Sequence, residues 1–160
     1  MRWIDRLNRI LVWTGGLSLL AMTIHVSLAS LLRSIFGMGL DGTIEISSYY
    51  YMVAVSALPL GLLQAQRGHV IVEVFTKHLQ MINQCRLDYL AGIVTAIYIS
   101  VLVWGAALSA FESFRNGEYL KLHQFNLLIW PSRWIFLIGL LSILCTVLFQ
   151  LGSGELLRKR

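Results

Sequence analysis

Few side chains in this 160-residue sequence are equipped for chemistry, and most of those sit near the ends of long apolar runs. His25 is the exception, an imidazole set well inside the first run, where an ionisable group is a functional candidate by default. Two roles suit it. As an axial haem ligand it would need a second histidine facing it from another helix, and the other three, His69, His78 and His123, all fall outside the apolar runs. A neutral histidine, hydrogen-bonded in a seam between helices, fits its position better. Cys85 and Cys145 are far apart and neither belongs to a C-x-x-C pair, so zinc and redox chemistry lack support. Cys145 reads as a small apolar residue inside a span, and Cys85 as a reduced thiol on the cytoplasmic side.

Glu45, Asp88, Glu112 and Arg133 lie close to the ends of the runs. A charge at mid-bilayer costs about 2.5–3.5 kcal/mol on insertion scales, whereas at a span end it reaches the headgroups or pairs with another chain. Glu45 and Arg133 are expected on the same side, paired with each other or with polar groups of a partner. No acid occupies the middle of a run, and no Gly-rich loop is present to cradle phosphate. The reading is of a protein that is not an enzyme and needs no cofactor or metal. An independent carrier of charged solutes is poorly supported as well, because the runs offer almost no polar groups near the midplane and no inverted repeat.

These residues are held by four apolar stretches, at 11–32, 46–65, 87–111 and 127–151. About 20 mostly apolar residues, rising about 1.5 Å each, cross a hydrocarbon core of about 30 Å, and a helix does so without unpaired backbone groups. The chain is 57% hydrophobic and 13% charged, too few charges to coat a soluble fold. The expected fold is all-α and integral to the membrane, a single domain over residues 1–160 with four transmembrane helices.

The net charge of +5 does not indicate a nucleic-acid partner, because the basic residues sit at helix ends. Arg2, Arg6, Arg9, Arg67, Lys77, Arg86, Arg158, Lys159 and Arg160, nine of the 13, fall on one side; Arg33, Arg115, Lys121 and Arg133 fall on the other. The positive-inside rule then places both termini and the middle connection in the cytoplasm. The first run continues for about 22 residues, beyond the 7–15 of a secretory signal, and reads as an uncleaved span.

Between the second and third runs, His69, Glu73, Thr76, Lys77, Gln80, Asn83 and Gln84 recur at helical spacing opposite Ile71, Val74, Phe75, Leu79 and Ile82. This predicts an amphipathic helix over about 69–85, lying in the cytoplasmic interface or offering a docking face to a partner helix. Stripes of small or polar residues mark packing seams: Thr14, Ser18, Ala21, His25 and Ala29 in the first span, and Asp88, Gly92, Thr95, Ile99, Val103, Ala106 and Ala110 in the third. Pro59 should kink the second span, with Ser56 placed to recover some of the freed backbone, and Pro131 should sit harmlessly near the start of the fourth.

Asp41-Gly42-Thr43-Ile44-Glu45-Ile46-Ser47 opens the second span, Gln66-Arg67-Gly68-His69-Val70-Ile71-Val72-Glu73 leaves it, and Trp130-Pro131 heads the fourth. With these stretches and the four-span layout, the chain resembles the small membrane subunit of tripartite ATP-independent periplasmic (TRAP) transporters, the DctQ-like family. The strongest part is Arg67-Gly68-His69 followed by Val72-Glu73, where family members often carry aspartate at the position of Glu73.

The resemblance implies a non-catalytic scaffold beside a large multi-span subunit that carries the sodium and substrate sites. A periplasmic binding protein would deliver an organic acid, dicarboxylate-like or sialic acid-like, across a bacterial or archaeal inner membrane. Arg67, His69 and Glu73 would contact the large subunit or fix the turn into the amphipathic helix. Trp3, Trp13, Trp104, Trp130, Trp134 and the Tyr49-Tyr50-Tyr51 cluster supply rings suited to anchoring in membrane lipids. Two other readings compete: a haem- or quinone-linked anchor subunit of a respiratory complex, and a small self-assembling membrane protein.

Overall fold

The computed structural model of the chain describes residues 2–37, 42–65, 81–122 and 126–152, which are predominantly helical. Four helices are long and apolar enough to cross a membrane. The first span is Arg2–Phe36, the second Thr43–Ala65, the third Met81–Asn116 and the fourth Trp130–Gly152. The first and third overrun their expected apolar stretches at both ends, because polar residues such as Asn8 and Asn116 keep the i→i−4 ladder going past the apolar edge.

The fourth span starts later than its hydropathy suggests. Leu127 and Leu128, expected within the helix, belong instead to the strand Asn126–Leu128 (β2), paired antiparallel with Tyr119–Lys121 (β1), with Leu120 opposite Leu127. Ile129 N–H then donates to the Glu118 carbonyl at 3.0 Å, closing the hairpin. Pro131 takes the second position of the helix, where no intrahelical partner awaits its missing N–H.

The third span packs on the fourth, the fourth on the second and the second on the first. The fourth is the centre of this row: 44% of its most apolar window is buried, against 28% in the second span and 6% in the first and third. Outward faces carry Trp13, Leu20 and Ile24 on the first span and Val94, Val101 and Trp104 on the third, all exposed. Such apolar faces are ordinary against lipid, which is the solvent they need.

The third span's seam runs along the expected stripe: Ile99 and Ala110 are buried and Gly92, Thr95, Val103 and Ala106 half-buried. Ile99, with Ala96, meets Leu140, Ile143 and Val147 of the fourth span, and Val103 and Ala106 pack against that cluster. In the first span the stripe is one residue off at its start. Thr14 is exposed and donates to its own Ile10 carbonyl at 2.9 Å, while Gly15 is buried with its Cα facing the Pro59 ring. Ser18, Ala21 and His25 are half-buried and Ala29 is buried, as that seam requires.

The second span is broken where Pro59 stands. One helical stretch ends at Ala57, the next begins at Leu60, and the N–H groups of Leu62 and Leu63 both reach the Pro59 carbonyl at 3.1 Å. Ser56 donates to the Val53 carbonyl at 3.2 Å, not to that of Val55, the one whose i+4 donor the proline removes. A second irregularity lies nearer the start, where Ser47–Tyr51 forms a π-helical turn and Met52 N–H reaches back to the Ser47 carbonyl. The amphipathic stretch expected at 69–85 lies mainly outside the described residues; from Met81 the chain is already in the third-span helix.

Candidate functional site

The third span ends in a glycine cap that aims one carboxylate. Gly117 adopts φ 59°, its N–H bonds the Phe114 carbonyl at 3.3 Å, and Glu118 N–H bonds that of Ser113 at 3.0 Å. This is the Schellman arrangement, and it turns the chain sharply back towards the head of the fourth span. Glu118 there meets Arg133, with Nη2 2.7 Å from Oε2 and donating to Oε1 at 3.0 Å. Ser113 Oγ donates to Oε2 at 2.6 Å, and Arg133 Nη1 donates to Ser109 Oγ.

Glu45, expected to pair with Arg133 or with polar groups of a partner, is half-buried and forms no ion pair among the described residues. The hairpin decides the outcome, because it returns the chain so that Glu118 and Arg133 flank the same helix end. Side-chain exposures of 36% and 38% leave the pair well screened. Glu118→Gln should therefore cost no more than about 1 kcal/mol, read as a small shift of the unfolding midpoint in detergent.

Around this pair the end opposite the termini is tied by rings. Trp130 meets Phe114 edge-on at 5.2 Å and Trp134 meets Phe111 at 5.3 Å. Tyr50 Oη donates to the Leu128 carbonyl at 2.5 Å, linking the π turn to the hairpin. Its neighbour Tyr51 faces the other way, towards the first span. There His25 Nδ1 lies 3.4 Å from Tyr51 Oη, and the two rings stand 5.9 Å apart at 87°. The structure thus sets His25 against a phenol in a helix seam. Among the described residues no three His, Cys, Asp or Glu side chains converge to hold a metal ion. Arg67, His69 and Glu73 lie outside the described residues.

A second polar group, absent from the sequence-based expectations, is buried where the first, second and fourth spans meet. Asn8 is 1% exposed. Its Nδ2 donates to the Gly61 carbonyl at 3.3 Å and to Thr146 Oγ1 at 3.2 Å, and its Oδ1 accepts from Ser142 Oγ at 2.8 Å. One turn further along, Gln150 Nε2 donates to the Gln64 carbonyl at 3.3 Å. Ser142 and Thr146 sit among apolar neighbours, and Asn8 precedes the first apolar run, so hydropathy conceals them all. The signal that would have found them is the seven-residue spacing Asn8, Gly15, Met22, Ala29, which extends the first-span seam by two turns.

What these groups do is position helices. Glycine supports the close crossings: a Cβ built on Gly61 would lie 1.8 Å from Ser142 Oγ, and one on Gly139 would lie 2.5 Å from the Ala57 carbonyl oxygen. Small residues with interhelical hydrogen bonds are the means by which helices associate where lipid offers no hydrophobic drive.

The family model for the DctQ component of tripartite ATP-independent periplasmic transporters matches residues 22–158. Searches of individual curated proteins and of solved structures find no match. The match takes in the second, third and fourth spans whole and the first from Met22 onward, which covers most of the chain. The chain belongs to the DctQ component family of tripartite ATP-independent periplasmic transporters, as a membrane component with four apolar helices.

Proposed function

We propose that this chain is the small, non-catalytic subunit of a sodium-coupled TRAP transporter, holding a large multi-span transport subunit in the membrane. A periplasmic binding protein would deliver the solute, an organic acid of the dicarboxylate or sialic acid kind. The termini and the connection between the second and third spans would face the cytoplasm of an inner-membrane-bounded cell, as the nine basic residues there favour.

The observation that carries this reading is the family match, and the packing supports it. The second and fourth spans meet through Gly61 and Gly139, closely enough to resist sliding. The first and third spans bury only a narrow stripe and leave broad apolar faces for lipid or for another membrane protein. A rigid row of helices of this kind suits a stationary support better than a moving element.

Purification of the tagged chain from its native membrane in a mild detergent tests the proposal. The expected product is a colourless one-to-one complex with a large many-span protein, and deletion of the chain should abolish sodium-dependent uptake. Recovery of the chain alone, or of a complex with a Soret band and redox subunits, would overturn it.

A further inference from the structure

Two cavities adjoin at Arg133, one polar and one apolar. The first, of about 510 Å³, opens at the hairpin end between Glu112, Ser113, Asn116, Glu118, Tyr119 and Arg133. The second, of about 290 Å³, is lined by Val53, Ala106, Ser109, Ser132, Arg133 and Phe136. Ala106, Ser109, Ser113 and Asn116 follow one another at three- and four-residue steps, so they share one face of the third span. From Asn116 to Ala106 this face descends about 15 Å at 1.5 Å per residue, from the helix end into the apolar span. Arg133 is their common wall: the polar cavity lies between the third span, the hairpin and the fourth span, and the apolar one between the second, third and fourth, a groove with a charged mouth and an apolar limb on either side of that side chain.

We propose that this groove binds a single glycerophospholipid bearing a primary amine, with its headgroup at Glu112 and Arg133 and an acyl chain along Val53, Ala106 and Phe136. Charge selects the headgroup. Two carboxylates and one guanidinium line the mouth, and Glu118 is committed to Arg133, which leaves Glu112 exposed and with no hydrogen-bond partner among the described residues. A primary ammonium can donate to that carboxylate in a charge-assisted hydrogen bond, whereas a trimethylated amine cannot. Arg133 has five N–H donors, of which Ser109 and Glu118 engage only part, so a phosphate can share it. An anionic headgroup without an amine would bring its charge against Glu112, which no ion pair among the described residues engages. The combined volume falls within the range of about 300–1,000 Å³ usual for small-molecule sites.

The full chain, purified delipidated and reconstituted in nanodiscs of phosphatidylcholine doped with equal parts of phosphatidylethanolamine and phosphatidylglycerol, would be released into native mass spectrometry and its retained lipids counted. One phosphatidylethanolamine per chain is expected. Glu112→Gln should weaken its retention about tenfold, as the loss of one charge-assisted hydrogen bond implies, and Glu112→Lys should shift retention to phosphatidylglycerol. Glu112 is exposed, so both variants should unfold at the parent midpoint in lipid-free detergent. Equal retention of the three lipids, or unchanged selectivity in Glu112→Gln, would overturn the proposal. So would a photo-crosslinker placed at Phe136 in native membranes that captures a polypeptide in place of a lipid.

Discussion

Gly139→Val should force the second and fourth spans apart and lower the stability of the folded chain more than any substitution on its outer faces. A Cβ at this position would stand 2.5 Å from the Ala57 carbonyl oxygen and 2.8 Å from both its carbonyl carbon and its Cβ. Two of those three atoms are backbone, which no rotamer change can move. Overpacking of a close contact costs about 1–3 kcal/mol where side chains yield, so a backbone obstacle should put this variant at or above the top of that range. Gly16 is the internal control, since a Cβ there meets nothing within 4 Å. Gly16→Ala should stabilise by up to about 1 kcal/mol through helix propensity alone. Unfolding by a graded SDS titration in mixed micelles reads both. Equal midpoints for Gly139→Val and the parent would mean that the spans do not cross at Ala57.

That crossing also shows where sequence reasoning stops. The four spans were legible because each is an unbroken apolar run, and the break at Pro59 was legible because a proline inside such a run has one consequence. The third span's seam was legible too, since small residues spaced by three and four mark a close approach. The order of the row was not, because seams say that a helix packs but not on which neighbour. Gly139 is one glycine in an apolar stretch and acquires meaning only when Ala57 is found against it.

The polar contacts were hidden for a different reason. Glu118 sits after an asparagine and a glycine in a segment that reads as a loop, and the Gly117 cap together with the hairpin brings it to Arg133. The strand Asn126–Leu128 was hidden because its leucine pair, beside a transmembrane run, is indistinguishable from that run's first turn by hydropathy. The π turn at Ser47–Tyr51 has no compositional mark. Within it Tyr50 and Tyr51, adjacent in sequence, bond Leu128 on one side and face His25 on the other.

Asn8→Leu should be the most damaging polar-to-apolar change, even though it improves the hydropathy of the first span. Leucine has the same branched four-atom side chain, somewhat bulkier, but the Gly61 carbonyl loses its side-chain donor and Ser142 Oγ loses its acceptor. Thr146 suffers less, since its hydroxyl still donates to the Ser142 carbonyl at 2.8 Å. A single interhelical hydrogen bond in a membrane averages about 0.6 kcal/mol, yet a buried group left without a partner costs about 1–3 kcal/mol. The second figure governs here, because at 1% exposure no water reaches the site to replace the amide. The loss should fall on the first span, which depends on Asn8 for its polar tie to the fourth, and appear as faster hydrogen exchange in residues 5–15 and a lower SDS midpoint. Ser142→Ala alone should be milder, and combining it with Asn8→Leu should cost less than the sum, because the hydroxyl orphaned by the first change is removed by the second. Strict additivity would mean that the two side chains act independently and that Asn8 is held by apolar packing instead of by its amide.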